Sequence, residues 1–105
     1  MRKLIPLAVA AAAVAAMLPS APASATGVMK CNAGPQSGWK TQDALKDKLV
    51  KEGWTVRKSK VDGGCYEVYG TTPEGDRVEA YFHPVSLEKL YVARRGQVLF
   101  RKPGY

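Results

Sequence analysis

The chain has 105 residues, with 16 basic and 9 acidic side chains, one His, two Cys and a formal net charge of +7, and it has room for one small domain. Large cofactor-binding folds, multidomain enzymes and repeat arrays are therefore excluded. Apolar residues are concentrated near the N-terminus, where they make up 17 of the 22 positions from Leu4 to Ala25. The remaining residues, 26–105, must form a core that is only marginally stable without additional support.

Residues 1–25 have the features of a cleavable signal peptide. Arg2 and Lys3 supply a positive start, Leu4–Leu18 is an apolar run, and Ala23–Ala25 gives the small-x-small pattern of a signal-peptidase site. A membrane-spanning helix needs about 20 apolar residues, so this run is too short to be a stable membrane anchor. We expect cleavage after Ala25 and a periplasmic or secreted mature protein.

The predicted export changes the interpretation of the two cysteines. In an oxidising compartment Cys31 and Cys65 are expected to form a disulfide, the one bridge available within the chain. Such a bridge would stabilise a small domain by roughly 4 kcal/mol in the chain-entropy model. A free thiol or a metal pair is the alternative, but with one His in the chain a zinc site lacks ligands, and we predict no metal site.

The segment that follows the signal peptide predicts an irregular N-terminal arm and then a helix. Residues 26–38 are rich in Gly and polar residues, and Cys31 would tie them to the body of the domain. Thr41 is a candidate N-cap for a short amphipathic helix that ends at Glu52, before Gly53. The arm and the helix thus precede the predicted strands.

Short alternating segments predict strands over residues 54–61, 65–71, 77–83, 87–93 and 97–101. A turn that pairs Thr72 with Asp76 would place Val68 opposite Ala80 and bring both apolar sets to one face. The predicted fold class is therefore α+β, with one short helix packed on one face of a small antiparallel sheet of 3–5 strands. We assign this domain to residues 39–105.

Charge is segregated along residues 26–105, which carry 14 basic and 9 acidic side chains, a net +5. Residues 61–88 are net acidic, whereas residues 89–105 contain five basic residues and no acid. The basic C-terminal segment is either an electrostatic docking surface or a solvated tail that maintains solubility. An exported protein rarely meets nucleic acid, so an anionic envelope component is the expected partner of this segment. The candidate contact residues are Arg94, Arg95, Arg101 and Lys102.

A second candidate surface is the sheet face opposite the helix. Strand alternation places Tyr69 and Tyr81 there, and Tyr beside Arg77 is typical of recognition surfaces. The alternative is that the arm, tied by Cys31 to Cys65 on that same face, covers these side chains. The sequence leaves the two possibilities open.

No catalytic constellation is evident in the sequence. The single His, His83, precedes Pro84 at a predicted strand end, and both cysteines are expected to be oxidised. No Gly-rich phosphate loop, His-Glu-x-x-His helix or calcium-loop spacing occurs. We therefore predict no catalytic residues, no cofactor and no enzymatic activity.

Two strand motifs stand out, Gly-Cys-Tyr-Glu-Val-Tyr at residues 64–69 and Arg-Val-Glu-Ala-Tyr-Phe-His-Pro at residues 77–84. They resemble those of the PepSY-like domain family of small secreted bacterial proteins, in which Asp is usual at the position of His83. The resemblance covers about residues 37–92. It implies a helix on a small antiparallel sheet and a non-catalytic role, with a peptidase as a candidate protein partner.

Overall fold

The five predicted strands and the helix are all present in the computed structural model, which describes residues 27–105. The predicted signal peptide lies outside this range. Residues 27–105 form the expected α+β architecture. The strands are antiparallel and follow one another in chain order across a single sheet. The elements are a 3₁₀ turn at Gln36–Gly38, α1 at Gln42–Lys51, β1 at Thr55–Asp62, β2 at Cys65–Thr71, β3 at Arg77–Phe82, β4 at Lys89–Arg94 and β5 at Gln97–Arg101.

Helix α1 forms because its ends are capped by the residues that the sequence indicated. The Thr41 hydroxyl accepts a hydrogen bond from the Ala44 N–H at 3.0 Å, which satisfies one of the unpaired donors of the first turn. Gly53 ends the helix with a φ of 97°, in the left-handed region that suits Gly. Leu45 and Leu49 are buried against the sheet, so this side of the sheet is called the helix face.

The register of the β2–β3 hairpin agrees with the sequence prediction. The Thr72 N–H donates to the Asp76 carbonyl at 2.9 Å, and Val68 stands opposite Ala80. Since side chains alternate along a strand, this pairing places both residues on the helix face. The same face also carries the main core, which contains Trp54, Tyr66, Val68, Val78, Ala80, Phe82, Leu87 and Val92 together with the two helix leucines.

A second, smaller core lies on the opposite side of the sheet, which is called the outer face. It comprises Met29, Cys65, Tyr81, Leu90, Tyr91 and Ala93. Tyr81 stands opposite Tyr91, and a register shift after Tyr81 then places Phe82 opposite Lys89. The irregularity lets the consecutive residues Leu90 and Tyr91 join the same cluster, which simple alternation would not allow.

Strands β3 and β4 are each shorter than the sequence predicted, because a tight turn occupies residues 83–88. The Leu87 N–H donates to the His83 carbonyl at 2.7 Å, and Leu87 has a φ of 64°. The His83 side chain stabilises the same turn, since its Nδ1 accepts the Val85 N–H at 3.1 Å. The His83 side chain and main chain thus both stabilise the turn between β3 and β4.

Candidate interaction surfaces

The N-terminal arm is fixed to the outer face by a disulfide and by hydrogen bonds. Cys31 and Cys65 form the predicted bridge, with an S–S distance of 2.07 Å. The Cys31 N–H donates to the Gly63 carbonyl at 2.8 Å, and the Gly27 N–H donates to Oδ2 of Asp62 at 2.7 Å. The arm therefore runs along the β1–β2 turn and lies over the second core.

The turn beneath the arm requires Gly at both of its central positions. Gly63 and Gly64 have φ values of 64° and 79°, as a two-residue hairpin needs. A Cβ atom at Gly63 would also overlap the Met29 carbonyl oxygen, and one at Gly64 would press on the Cys31 carbonyl oxygen. These glycines serve both the hairpin and the close approach of the arm.

Tyr81 is not on an accessible surface, and the expectation that it is exposed there is wrong. Its side chain is 0% exposed, and Met29 of the arm belongs to the same buried cluster. Its hydroxyl donates to Oδ2 of Asp62 at 2.7 Å. Burial and the hydrogen bond to Asp62 raise the pKa of Tyr81 well above its usual range. The arm covers Tyr81, which is the alternative that the sequence left open.

Tyr69 and Arg77 lie at the other end of β2 and β3, away from the Cys65 end where the arm is attached. Tyr69 is half-buried, with the ammonium groups of Lys58 and Lys60 at 5.6 and 5.8 Å from its ring centroid. Arg77 is exposed at the start of β3 and is paired with Thr71, two residues after Tyr69. Strand alternation places Tyr69, Thr71 and Arg77 on the outer face.

Glu67 is a buried carboxylate on the outer-face side of β2. It is 0% exposed, and neither carboxylate oxygen accepts a hydrogen bond of standard geometry from residues 27–105. The Lys60 ammonium lies 3.7 Å from Oε1, across the β1–β2 pair. Burial raises the pKa of Glu67, while the Tyr69 hydroxyl and the Lys60 ammonium partly oppose this rise. Nothing in the sequence signalled the burial of Glu67.

The basic C-terminal residues do not form one patch. Arg94 and Arg95 lie at one end of β5, and Arg101 and Lys102 lie at the other. Arg94 pairs with Asp76 at 2.7 Å, and Lys102 pairs with Glu88 at 2.9 Å. The idea that this segment has no acidic partner is therefore wrong, because the fold supplies acids that are distant in sequence.

The other two candidate arginines have different surroundings. Arg101 lies 5.1 Å from the Tyr91 ring centroid and donates to the Tyr105 carbonyl at 2.9 Å. Arg95 is exposed in the β4–β5 turn with a φ of 52°. Arg95 and Arg101 are both exposed.

A groove of about 430 Å³ lies beside β5, near the end of α1. Apolar and acidic residues dominate its lining. The lining residues are Glu52, Trp54, Thr72, Pro73, Glu74, Asp76, Lys89, Val92, Leu99 and Phe100. Sequence reasoning missed this groove, because its walls come from the end of α1, the β2–β3 turn and the last two strands.

Two further properties concern residues 27–105 as a whole. No helix in this range has the length and apolar character needed to cross a bilayer. Nor does the same range contain three or more His, Cys, Asp or Glu side chains grouped so as to hold a metal ion.

The chain matches a known protein-family model. The PepSY family model described as "Peptidase propeptide and YPEB domain" matches residues 9–91, which is most of the chain. Searches of curated proteins and of solved structures found no match.

Proposed function

Because the chain belongs to the PepSY family of peptidase propeptide and YPEB domains, we propose that it is a non-catalytic module that binds and restrains a peptidase at the cell envelope. The family match over residues 9–91 is the observation that carries this proposal. Propeptide domains act on peptidases by contact rather than by chemistry of their own. The absence of a catalytic motif in the sequence agrees with such a role.

The exposed end of the outer face is the proposed contact surface. Tyr69 supplies a partly buried aromatic ring, and Arg77 supplies an exposed guanidinium on the neighbouring strand. Tyr and Arg are the residue types that contribute most to protein interfaces. The disulfide and the arm hold the other end of these strands, so the surface is rigid before it meets a partner. Tyr81 is buried beneath the arm and is not part of this surface.

The proposed place of action is the periplasm or the cell exterior. Residues 1–25 carry the sequence features of a signal peptide, with cleavage after Ala25. A Cys31–Cys65 disulfide is also the kind of bond that persists in oxidising compartments. Both features are independent of the identity of the peptidase.

Docking on an anionic envelope polymer is the second candidate function. The exposure of Arg95 and Arg101 favours it. The ion pairs of Arg94 and Lys102 count against it, because a cation that already has a carboxylate partner gains less from a second one. Polymer binding of this kind would disappear at high salt, since exposed charges are screened.

The proposal is tested by measuring casein hydrolysis by purified metallo-, serine and cysteine peptidases in the presence of excess protein. We expect one class to be inhibited at both low and high salt. The double variant Tyr69→Ala/Arg77→Ala should weaken that inhibition about tenfold or more. Lys46→Ala, an exposed change on the far side of α1, is the matched control and should inhibit like the wild type.

Two results would contradict the proposal. One is unchanged hydrolysis by all three classes at a large molar excess of protein. The other is equal inhibition by the double variant, which would exclude the Tyr69 surface. Retention on an anionic polymer column that is lost on Arg95→Ala/Arg101→Ala substitution would instead support the second candidate.

A further inference from the structure

The two edges of the sheet differ in how they are protected from pairing with another strand. Edge strands in soluble proteins are commonly protected by charged side chains. Edge strand β1 follows this rule, since it carries Arg57, Lys58 and Lys60. Edge strand β5 has a bulge at Leu99 instead, and three apolar residues occupy its centre. Two of these, Val98 and Leu99, are 48% and 41% exposed.

The groove includes part of this apolar edge strand. Leu99 and Phe100 of β5 line it together with Trp54 and Val92, which belong to the main core. If a further strand paired with β5, its side chains on the helix face would therefore contact apolar surface. Alternate side chains of such a strand would point into the groove, because successive residues of a strand face opposite sides.

The rim of the groove is acidic although the protein as a whole is basic. Glu52, Glu74 and Asp76 line the groove, against the single cation Lys89, which lies 4.5 Å from the Phe100 ring centroid. Glu52 and Asp76 also pair with basic residues of the domain. Glu74 is exposed in the β2–β3 turn and forms no ion pair within residues 27–105, so it can accept a basic side chain from outside.

We propose that the β5 edge and this groove form a binding site for an extended peptide segment whose groove-facing side chains are apolar along β5 and basic at one end. The peptide backbone pairs with Gln97–Arg101 as a sixth strand. Its apolar side chains enter the groove at Leu99 and Trp54, and a basic side chain reaches Glu74. This site is separate from the Tyr69 surface and does not depend on the partner being a peptidase.

Trp54 provides a direct optical reporter for this site. The chain contains two tryptophans, and Trp39 lies outside the groove, so Trp39→Phe leaves Trp54 as the single emitter. Three synthetic peptides of equal length are titrated into the purified Trp39→Phe protein. The first, the Val-Lys peptide, has Val at its groove-facing positions and Lys at the groove-facing end position. The second, the Val-Glu peptide, has Glu in place of that Lys, and the third is the Val-Lys peptide with alternate backbone amides methylated. We expect only the first peptide to shift the Trp54 emission, and we expect it to slow hydrogen exchange of the β5 amides.

Two lysine substitutions at equally exposed edge positions separate the site from general effects. Leu99→Lys should weaken Val-Lys binding about tenfold or more, because it places a cation in the groove. Val61→Lys is the matched control, since Val61 is also 41% exposed but lies on β1, and it should bind like the parent protein. Glu74→Lys should also weaken binding.

Three outcomes would overturn the proposal. The first is the absence of any emission change with the Val-Lys peptide. The second is equal binding of the Val-Glu peptide or of the methylated peptide, which would exclude the acidic rim or the backbone pairing. The third is a concentration-dependent dimer in sedimentation that Leu99→Lys dissociates, because a second copy of the chain would then occupy the edge. None of these experiments measures peptidase inhibition. A negative result here therefore does not bear on the proposed function.

Discussion

The Tyr81 hydroxyl and the Asp62 carboxylate are joined by a 2.7 Å hydrogen bond that links β3 to the end of β1. The same Asp62 oxygen, Oδ2, accepts the Gly27 N–H at the start of the described arm. Burial alone would raise the pKa of Asp62, but these two hydrogen bonds and the nearby Lys60 ammonium lower it overall. The ionised form of Asp62 therefore connects the arm to the second core.

Tyr81→Phe should loosen the arm and destabilise the domain. A hydrogen bond to a charged group contributes about 1.5–3 kcal/mol, and its loss also leaves Asp62 with one partner fewer. We expect the free energy of urea unfolding to fall by about this amount and trypsin to cleave faster after Lys30. Tyr66→Phe is the control, because its hydroxyl bonds to the Lys40 carbonyl on the helix side. A rise in cleavage after Lys30 in the control alone would contradict this account.

Removal of the disulfide should have the largest effect on stability. The bridge joins residues 34 positions apart, and closing a loop of this size stabilises a protein by roughly 4 kcal/mol in the chain-entropy model. For a small domain this is a large part of the usual total of about 5–15 kcal/mol. The variant Cys31→Ser/Cys65→Ser should therefore unfold at a much lower urea concentration. Urea midpoints that coincide with and without a reductant would show that the bridge contributes nothing.

Glu67→Gln should change how stability depends on pH. Burial raises the pKa of Glu67 in the folded protein above its ordinary value of 4.5, so the folded state holds a proton that the unfolded state has released. This group therefore favours folding at low pH, and that contribution is lost as the pH rises from about 4.5 through the folded pKa. The Gln variant should lack this loss, and urea unfolding at a series of pH values would measure the difference.

A second variant tests the role of the neighbouring ammonium. Lys60 lowers the pKa of Glu67, so Lys60→Met should raise that pKa further and enlarge the loss of stability above pH 4.5. Asp62 has the opposite effect on the pH dependence of stability, and its effect falls at lower pH. Its pKa is lowered below 3.8, so its contribution is lost only as the pH falls through that lower value. Identical pH profiles for Glu67→Gln and the wild type would refute the assignment.

Gly63→Ala should cost more stability than Gly75→Ala. Both positions have positive φ, so an added Cβ costs about 1–2 kcal/mol at either one. A Cβ at Gly75 meets open space, whereas at Gly63 it overlaps the Met29 carbonyl oxygen and displaces the arm. We expect an additional loss of about 1–3 kcal/mol at Gly63, which is typical of overpacking. Equal unfolding free energies for the two variants would mean that the arm does not approach Gly63 closely.

Local patterns in the sequence were sufficient to predict the sheet. The turn between Thr72 and Asp76 determines the register of its hairpin, and alternation along β2 and β3 then assigns Val68 and Ala80 to one face. The helix was predictable for a similar reason, because Thr41 and Gly53 mark its two ends. In each case the deciding residues are close together in the chain.

The functional surfaces were harder to predict because they depend on contacts between distant segments. Alternation correctly assigns Tyr81 to the outer face, but its burial depends on the path of an arm that has no periodic pattern. The partners of Arg94 and Lys102 are set by how the β2–β3 turn and the residue 83–88 turn pack near the last strands. The β5 groove has the same origin, since Trp54 and Leu99 are 45 positions apart in the numbering.

The chain-order arrangement of the strands has a consequence for how the molecule assembles. Each strand pairs with its neighbour in sequence, and topologies dominated by local contacts fold fast. The arm is different, because its contacts to Asp62 and Cys65 span 35 and 34 residues and include a thiol oxidation that takes seconds to hours. We expect the sheet to form first and the arm to dock last. During that interval Tyr81, Leu90 and Tyr91 are uncovered, and this is when a newly made chain is most prone to aggregate.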